Sequence, residues 1–299
     1  MAKKKKYHSG MVENTSVQSK IMQAIVTLVV IALALVAVLP MWHVIMCSIS
    51  DGHTLLTYDG FAILPVGEVT FNAYKLILKN ASIIQGYVNT IIYVAGAVGL
   101  GLVLNVLGGY VLYRQTKLNG VLSLFVMFTI MFGGGMVATF MVMDALHLTG
   151  TRLVIILQLA TNAMYIVVAA NAFRGVPKET VESAIIDGAG NITVMFRVML
   201  PQCMSLMSVT LLNTFIGAWN SWVDASIYAA NDRSKWPIQL VINEIVQQNA
   251  NILQSSNPNY DRYLIQFAVI VIAVIPILIV FPFFQDKIEA GVLTGAVKG

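Results

Sequence analysis

Apolar residues along this 299-residue chain come in long unbroken runs rather than in the short alternation of a half-buried strand. Asp, Glu, Lys and Arg are absent from 21–50, 80–113, 118–143, 153–173, 198–223 and 263–285. Each run supplies the ~20 mainly apolar residues that a helix needs to cross a bilayer core. An open strand would leave its backbone N–H and C=O groups unpaired in hydrocarbon, so the runs read as helices. The pattern predicts an all-α membrane protein with six transmembrane helices, at about 21–46, 85–112, 120–143, 153–173, 202–227 and 263–284.

The polar segments between them set the organisation. A basic N-terminus, 1–20, precedes a six-helix domain at 21–285, and a short tail, 286–299, follows it. Outer loops are expected at 48–82, with the amphipathic stretch Phe71–Leu78, and at 229–261, which is rich in Asn, Gln and Ser. A tight turn at 113–119 and the longer charged segment 174–201 lie on the inner side. Gly108-Gly109 and Gly133–Gly135 fall within helices, where small residues allow helices to approach closely. Basic residues then fix the orientation. With both termini in the cytoplasm, Lys3, Lys4, Lys5, Lys6, Lys20, Arg114, Lys117, Arg174, Lys178, Arg197, Lys287 and Lys298 are inside. Only Lys75, Lys79, Arg152, Arg233, Lys235 and Arg262 are outside.

Composition agrees: 58% of residues are hydrophobic and 11% charged, against roughly 25% charged in a soluble domain. A mean hydropathy of +0.78 leaves lipid as the solvent. The Lys3–Lys6 run is therefore an orientation signal with attraction to anionic lipid, and no nucleic-acid partner is expected. The first apolar run exceeds the usual 7–15-residue core of a signal peptide and reads as an uncleaved span. Cys47 and Cys203 lie at opposite ends of their helices and cannot pair, and His43 and His147 are too isolated to make a metal site.

Several function classes drop out. No G-x-x-x-x-G-K-[ST] phosphate loop occurs, so the chain does not bind ATP in that manner. The spans contain no ionisable residue of the kind ion-coupled transporters use, since Asp144 and Asp224 lie only at outer helix ends. No H-E-x-x-H or paired aspartates suit an intramembrane hydrolase, so no catalytic residue is expected. If the protein moves a solute, its energy enters from another chain, and 174–201 is the inner segment able to receive it.

That segment reads as two short helices at an elbow. Pro177-Lys178-Glu179 opens the first, with Pro and an acid favoured at a helix start. Ala184, Ile185 and Ala189 give it a small apolar face, and Asp187-Gly188 breaks it. Val194–Met199 forms the second, and Pro201 opens the next helix. Glu182-Ser183-Ala184, Asp187-Gly188-Ala189 and Leu200-Pro201 resemble the E-A-A, G and L-P pattern of the permease subunits of bacterial ABC importers, with Ser183 in place of the middle Ala. The resemblance extends over nearly the whole chain and narrows to carbohydrate importers of the maltose-permease type. Gly217-Ala218-Trp219-Asn220 and the ending Thr294–Gly299 look like elements of that group. Phe132–Met136 and Trp219–Trp222 are similar to its branch handling oligosaccharides or polysaccharide fragments.

The resemblance implies a type I importer fold in the bacterial plasma membrane, working with a second permease subunit, two ATPase subunits and an extracytoplasmic sugar-binding protein. ATP and Mg would be bound by the ATPase subunits and not by this chain. Residues 179–191 would form the helix that docks on an ATPase, with Glu179, Glu182, Ser183, Ala184, Asp187, Gly188, Ala189, Leu200 and Pro201 in the coupling element. Gly295, Val297, Lys298 and Gly299 of the tail would reach between the ATPases, and 229–261 would meet the binding protein. Asn89, Asn105, Asn162, Trp219, Asn220 and Trp222 carry the amide and ring chemistry that recognises sugar hydroxyls and C–H faces. Membrane Asn residues also serve to hydrogen-bond neighbouring helices. A self-contained facilitator or channel for a small polar solute is the alternative, and it leaves the charged inner segment unexplained.

Overall fold

A computed structural model describes residues 17–114, 116–252 and 260–296, and among these no strand occurs. The helix α1 (Val17–Ser48) contains Pro40 and buries only its end, at Met46, Cys47 and Ser48. The segment after it folds back through α2 (Gly52–Leu56) and the amphipathic α3 (Asn72–Lys79). Asp51 starts α2 by accepting hydrogen bonds from the Thr54 amide at 2.9 Å and the Thr54 hydroxyl at 2.7 Å. Asn80 then caps α4 (Ala81–Tyr113), the helix around which the others gather.

Beyond α4 the expected spans are not continuous. Helices α5 (Asn119–Met131) and α6 (Gly135–Ala145) meet at 117°, and α7 (Arg152–Ala160) and α8 (Ala163–Arg174) at 44°. After α9 (Lys178–Ile186), α10 (Asn191–Gln202) meets α11 (Met204–Asn220) at 84°. The chain continues through α12 (Val223–Tyr228) and α13 (Ile238–Ile252) to α14 (Tyr260–Ala296), which contains Pro276 and Pro282. By length and composition α1, α4 and the Leu264–Gln285 part of α14 can each cross a membrane, and the number reaches six if each bent pair is one span.

Two expectations are corrected. Among the described residues Gly133–Gly135 bring no other helix of this chain close: a Cβ on Gly133 or Gly135 would meet nothing within 4 Å, and Gly135, at φ +75°, lies at the 117° bend. The 229–261 segment is not simply a loop, because it holds α13 and a 3-10 turn at Arg233–Lys235. Close approach does hold at Gly109, where a Cβ would lie 2.5 Å from the Ala169 Cβ. That contact lets α8 pack along the length of α4.

A polar seam fastens the 232–238 turn onto α4. The Asn89 amide donates to the Ser234 and Trp236 carbonyls at 2.8 and 2.9 Å, and its oxygen accepts from Arg152 at 3.0 Å. Tyr93 donates to the Lys235 carbonyl at 2.6 Å, and the Ile238 amide donates to the Thr90 hydroxyl at 2.8 Å. Lys235 donates to the Gly150 carbonyl at 2.6 Å and pairs with Asp232 at 2.8 Å. Its ammonium and the Ser234 hydroxyl push the exposed Asp232 carboxyl down to about 2, so the turn keeps its charge at any physiological pH. Asn89→Ala strips the donor from the Trp236 carbonyl, leaves the Ser234 carbonyl only Gln85 at 3.4 Å, and removes one acceptor from the Arg152 guanidinium. Each orphaned buried group costs about 1–3 kcal/mol. We expect a lower midpoint in thermal unfolding of the detergent-purified protein, with membrane insertion retained.

Candidate functional site

At the end of the bundle carrying 114–118 and 174–203, the charged segment folds as the predicted elbow. Pro177 precedes α9, and Glu179 sits in its first turn, where a negative charge suits the helix dipole. The helix stops at Asp187, with Gly188 left-handed at φ +84°. The Gly188 amide donates to the Ile185 carbonyl at 3.0 Å and the Ala189 amide to the Ala184 carbonyl at 2.9 Å, which closes the helix end. Ser183, the departure from the motif, turns its hydroxyl onto the Glu179 carbonyl at 2.8 Å. Ile185 and Ile186 are 57% and 86% exposed, while Val181 points inward and is buried.

The elbow rests on a buried plug. Val181, Phe173, Val176, Val194, Met195, Met199 and Cys203 form one cluster with Val106 of α4. The Phe173 ring is fully buried and meets Tyr110 edge-on at 6.2 Å. The α10 segment is π-helical over Val194–Met199, and the Leu200 amide reaches back to the Met195 carbonyl. Pro201 does not open the following helix: it lies in the last turn of α10, and the 84° break comes after it, at Cys203. Cys203 ties the break to α8 through its thiol, which donates to the Ala172 carbonyl at 3.2 Å. Beside the elbow, a cavity of about 410 Å³ is lined by Tyr110, Tyr113, Arg114, Arg174, Lys178 and Glu182 among others. Among the described residues Glu182 has no ion-pair partner.

A second cavity, of about 340 Å³, opens where the α7–α8 break faces the end of α11 and the start of α12. Asn162 caps α8 by accepting from the Met164 amide at 3.0 Å, and Asn220 ends α11. The walls are Gln158, Thr161, Asn162, Tyr165, Asn213, Thr214, Asn220, Ser221, Trp222 and Asp224, with Gly217 and Ala218 making room. Nine residues of α7 and twelve of α8 flank the break. They rise about 13 and 18 Å, so the break lies near the middle of the pair. A dense set of amides and hydroxyls with one indole face binds hydroxyl-rich solutes. No metal-binding cluster occurs among the described residues.

The structure thus brings together Asn162, Asn220 and Trp222, and places the other three candidates elsewhere. Asn89 is fully used in the seam. Asn105 is buried in α4, its side-chain oxygen unpartnered. Trp219 is 4% exposed, stacks on Phe215 at 6.1 Å and donates from its indole N–H to the Ala273 carbonyl at 3.0 Å, in the turn before Pro276. The residues that sequence reasoning missed are Gln158, Thr161, Tyr165, Asn213, Thr214, Ser221 and Asp224. Thr161-Asn162, a polar pair inside an apolar run, was the available signal for a broken helix. Of the tail candidates Gly295 lies in α14, whereas Val297, Lys298 and Gly299 fall outside the described residues, as do Lys3–Lys6.

A family model described as a binding-protein-dependent transport system inner membrane component matches residues 97–294. The chain belongs to this family. Its members are multi-pass transport subunits of the plasma membrane and not enzymes. The polygalacturonan/rhamnogalacturonan transport system permease protein of Bacillus subtilis is 32% identical over 89% of this chain and 94% of its own length. The diacetylchitobiose uptake system permease protein of Streptomyces coelicolor is 28% identical over 89% and 85%. Among solved structures, a bacterial ABC transporter involved in the import of the acidic polysaccharide alginate superposes with a TM-score of 0.80. It is 26% identical, over 91% of this chain and 98% of that one. The chain therefore has the all-α permease fold of an ABC importer.

The left-handed Gly188 sets the end of α9. Gly188→Ala adds about 1–2 kcal/mol of backbone strain there. Hydrogen exchange at the Gly188 and Ala189 positions should quicken while the amides of α4 stay protected.

Proposed function

We propose that the chain is one of two permease subunits of an ATP-driven importer that takes up an oligosaccharide handed over by an extracytoplasmic sugar-binding protein. The observation that carries this reading is the polar cavity between the α7–α8 break and the α11–α12 junction. Irregular backbone at membrane depth persists only where it is packed in protein or lines a water-filled space, and here the breaks supply the amides and hydroxyls of the lining. Asn162, Asn220 and Trp222 are the proposed sugar contacts, joined by Gln158, Tyr165 and Asn213. The relatives named for polygalacturonan, rhamnogalacturonan and diacetylchitobiose support a saccharide as the solute.

In this reading 174–203 lies in the cytoplasm, and α9 docks in a groove of an ATPase subunit. Ile185 and Ile186 are the exposed apolar contacts and Glu182 a charged one. ATP binding on the partner subunits draws α9 with them, and the Val181–Phe173–Met199 plug passes the movement to α4 and α8. The bend at 161–162 lets α7 and α8 re-angle beside the cavity without rupturing a whole span. The 229–252 region faces the binding protein, and the tail from Gly295 onward reaches the ATPases.

Two experiments test this. Purified from its native membrane in mild detergent, the tagged protein should bring down an ATPase and a second permease in stoichiometric amounts. Recovery of a stable, folded protein alone would favour a facilitator. Glu182→Lys or Gly188→Pro should abolish uptake and uncouple ATP hydrolysis from sugar while the protein still inserts, and unimpaired uptake in both would end the coupling assignment.

A further inference from the structure

The charge pattern of the central cavity goes further than its polarity. Its wall holds one ionic side chain, Asp224, and no Lys or Arg. Ser221 donates to one Asp224 oxygen at 3.1 Å. Neither ion pair among the described residues, Arg233–Glu244 or Lys235–Asp232, involves Asp224. Among the described residues of this chain, the nearby cations are committed elsewhere. Arg152 is bonded to Asn89, Lys235 to Gly150 and Asp232, and Arg114, Arg174 and Lys178 line the separate cavity beside the elbow.

A uronate sugar carries a carboxylate on each residue, and a site that takes it needs cations or many N–H donors aimed at that group. This wall presents a like charge instead, which opposes an anionic solute in a partly desolvated space. An uncharged saccharide meets no such penalty. Its hydroxyls donate to the Asp224 carboxylate as charge-assisted hydrogen bonds, the Asn162, Asn213 and Asn220 amides pair with the remaining hydroxyls, and the Trp222 ring covers a C–H face.

On the importer reading above, we infer that the solute passing this cavity is a neutral oligosaccharide, with Asp224 as the side chain that selects against acidic ones. The chain then differs in cargo both from its structural relative, whose alginate is an acidic polysaccharide, and from the Bacillus subtilis relative named for polygalacturonan, which is also a polyuronate.

The test uses the complete importer in proteoliposomes with its binding protein, scoring uptake and ATPase stimulation. The probes are neutral gluco-, galacto- and xylo-oligosaccharides against oligogalacturonates of equal length. A neutral sugar should be transported and the oligogalacturonates refused. Asp224→Asn should weaken neutral uptake by about tenfold, the loss of one charge-assisted hydrogen bond, in an assembly that still holds its ATPase. Asp224→Lys should lose neutral uptake altogether. These variants separate the cavity's choice from that of the binding protein. Transport of oligogalacturonate by the unmodified importer, or neutral uptake indifferent to Asp224→Asn, would overturn the inference while leaving the importer intact. Refusal of both classes by an assembly that holds its ATPase would overturn the saccharide reading itself, and this inference with it.

Discussion

Within a bilayer every backbone N–H and C=O must find a partner inside the protein, and the whole architecture turns on where this chain breaks that rule. Only α1, α4 and α14 run long enough to satisfy it as single helices. The other three apolar stretches are interrupted at 132–134, at 161–162 and at Cys203, and α11 gives way to α12 after Asn220. Each interruption frees backbone groups, and side chains take up part of the debt: Asn162 caps the α8 amides and the Cys203 thiol reaches the Ala172 carbonyl. Where the breaks face one another, the space between them is polar. The polar cavity is thus a consequence of discontinuous helices and not an addition to a finished bundle.

The two ends of the molecule are built on opposite principles. The end carrying 232–238 is held by directed hydrogen bonds, with Asn89, Thr90 and Tyr93 of α4 gripping the backbone of the turn. Such a seam is rigid, because each bond fixes a distance and an angle. The elbow end is held mainly by the Phe173 plug, a nondirectional apolar cluster rich in flexible Met side chains. A surface that must receive force from another subunit while its helices re-angle is better served by the second kind of contact. One cavity lies at the elbow end and the other beside the α7–α8 break.

Much of this was legible in the chain. Long charge-free runs announce helices in lipid because burial of charge there is so costly, and the Glu182-Ser183-Ala184, Asp187-Gly188-Ala189 and Leu200-Pro201 spacing marked the elbow. The breaks were harder to read. A run such as 153–173 has the hydropathy of one span, and only the Thr161-Asn162 pair hints that its backbone departs from the helix. Side-chain role was harder still. Asn89 and Asn162 are the same residue type in similar apolar settings, yet one locks a turn and the other lines a cavity. That difference depends on what lies across from each, at residues 152 and 234 for the first and 220–224 for the second, and a pattern read along one chain does not contain it. Trp219 and Trp222 divide in the same way, three residues apart, into a packed core and a cavity wall.

In the proposed importer, α9 receives the work of ATP hydrolysis from another subunit. Site-specific photocrosslinking from position 186, where Ile186 is 86% exposed, tests it most directly in native membranes. One dominant adduct is expected, to the ATPase subunit, with a yield that changes when nucleotide is trapped. Adducts to lipid alone, with no ATPase product under any nucleotide condition, would contradict it.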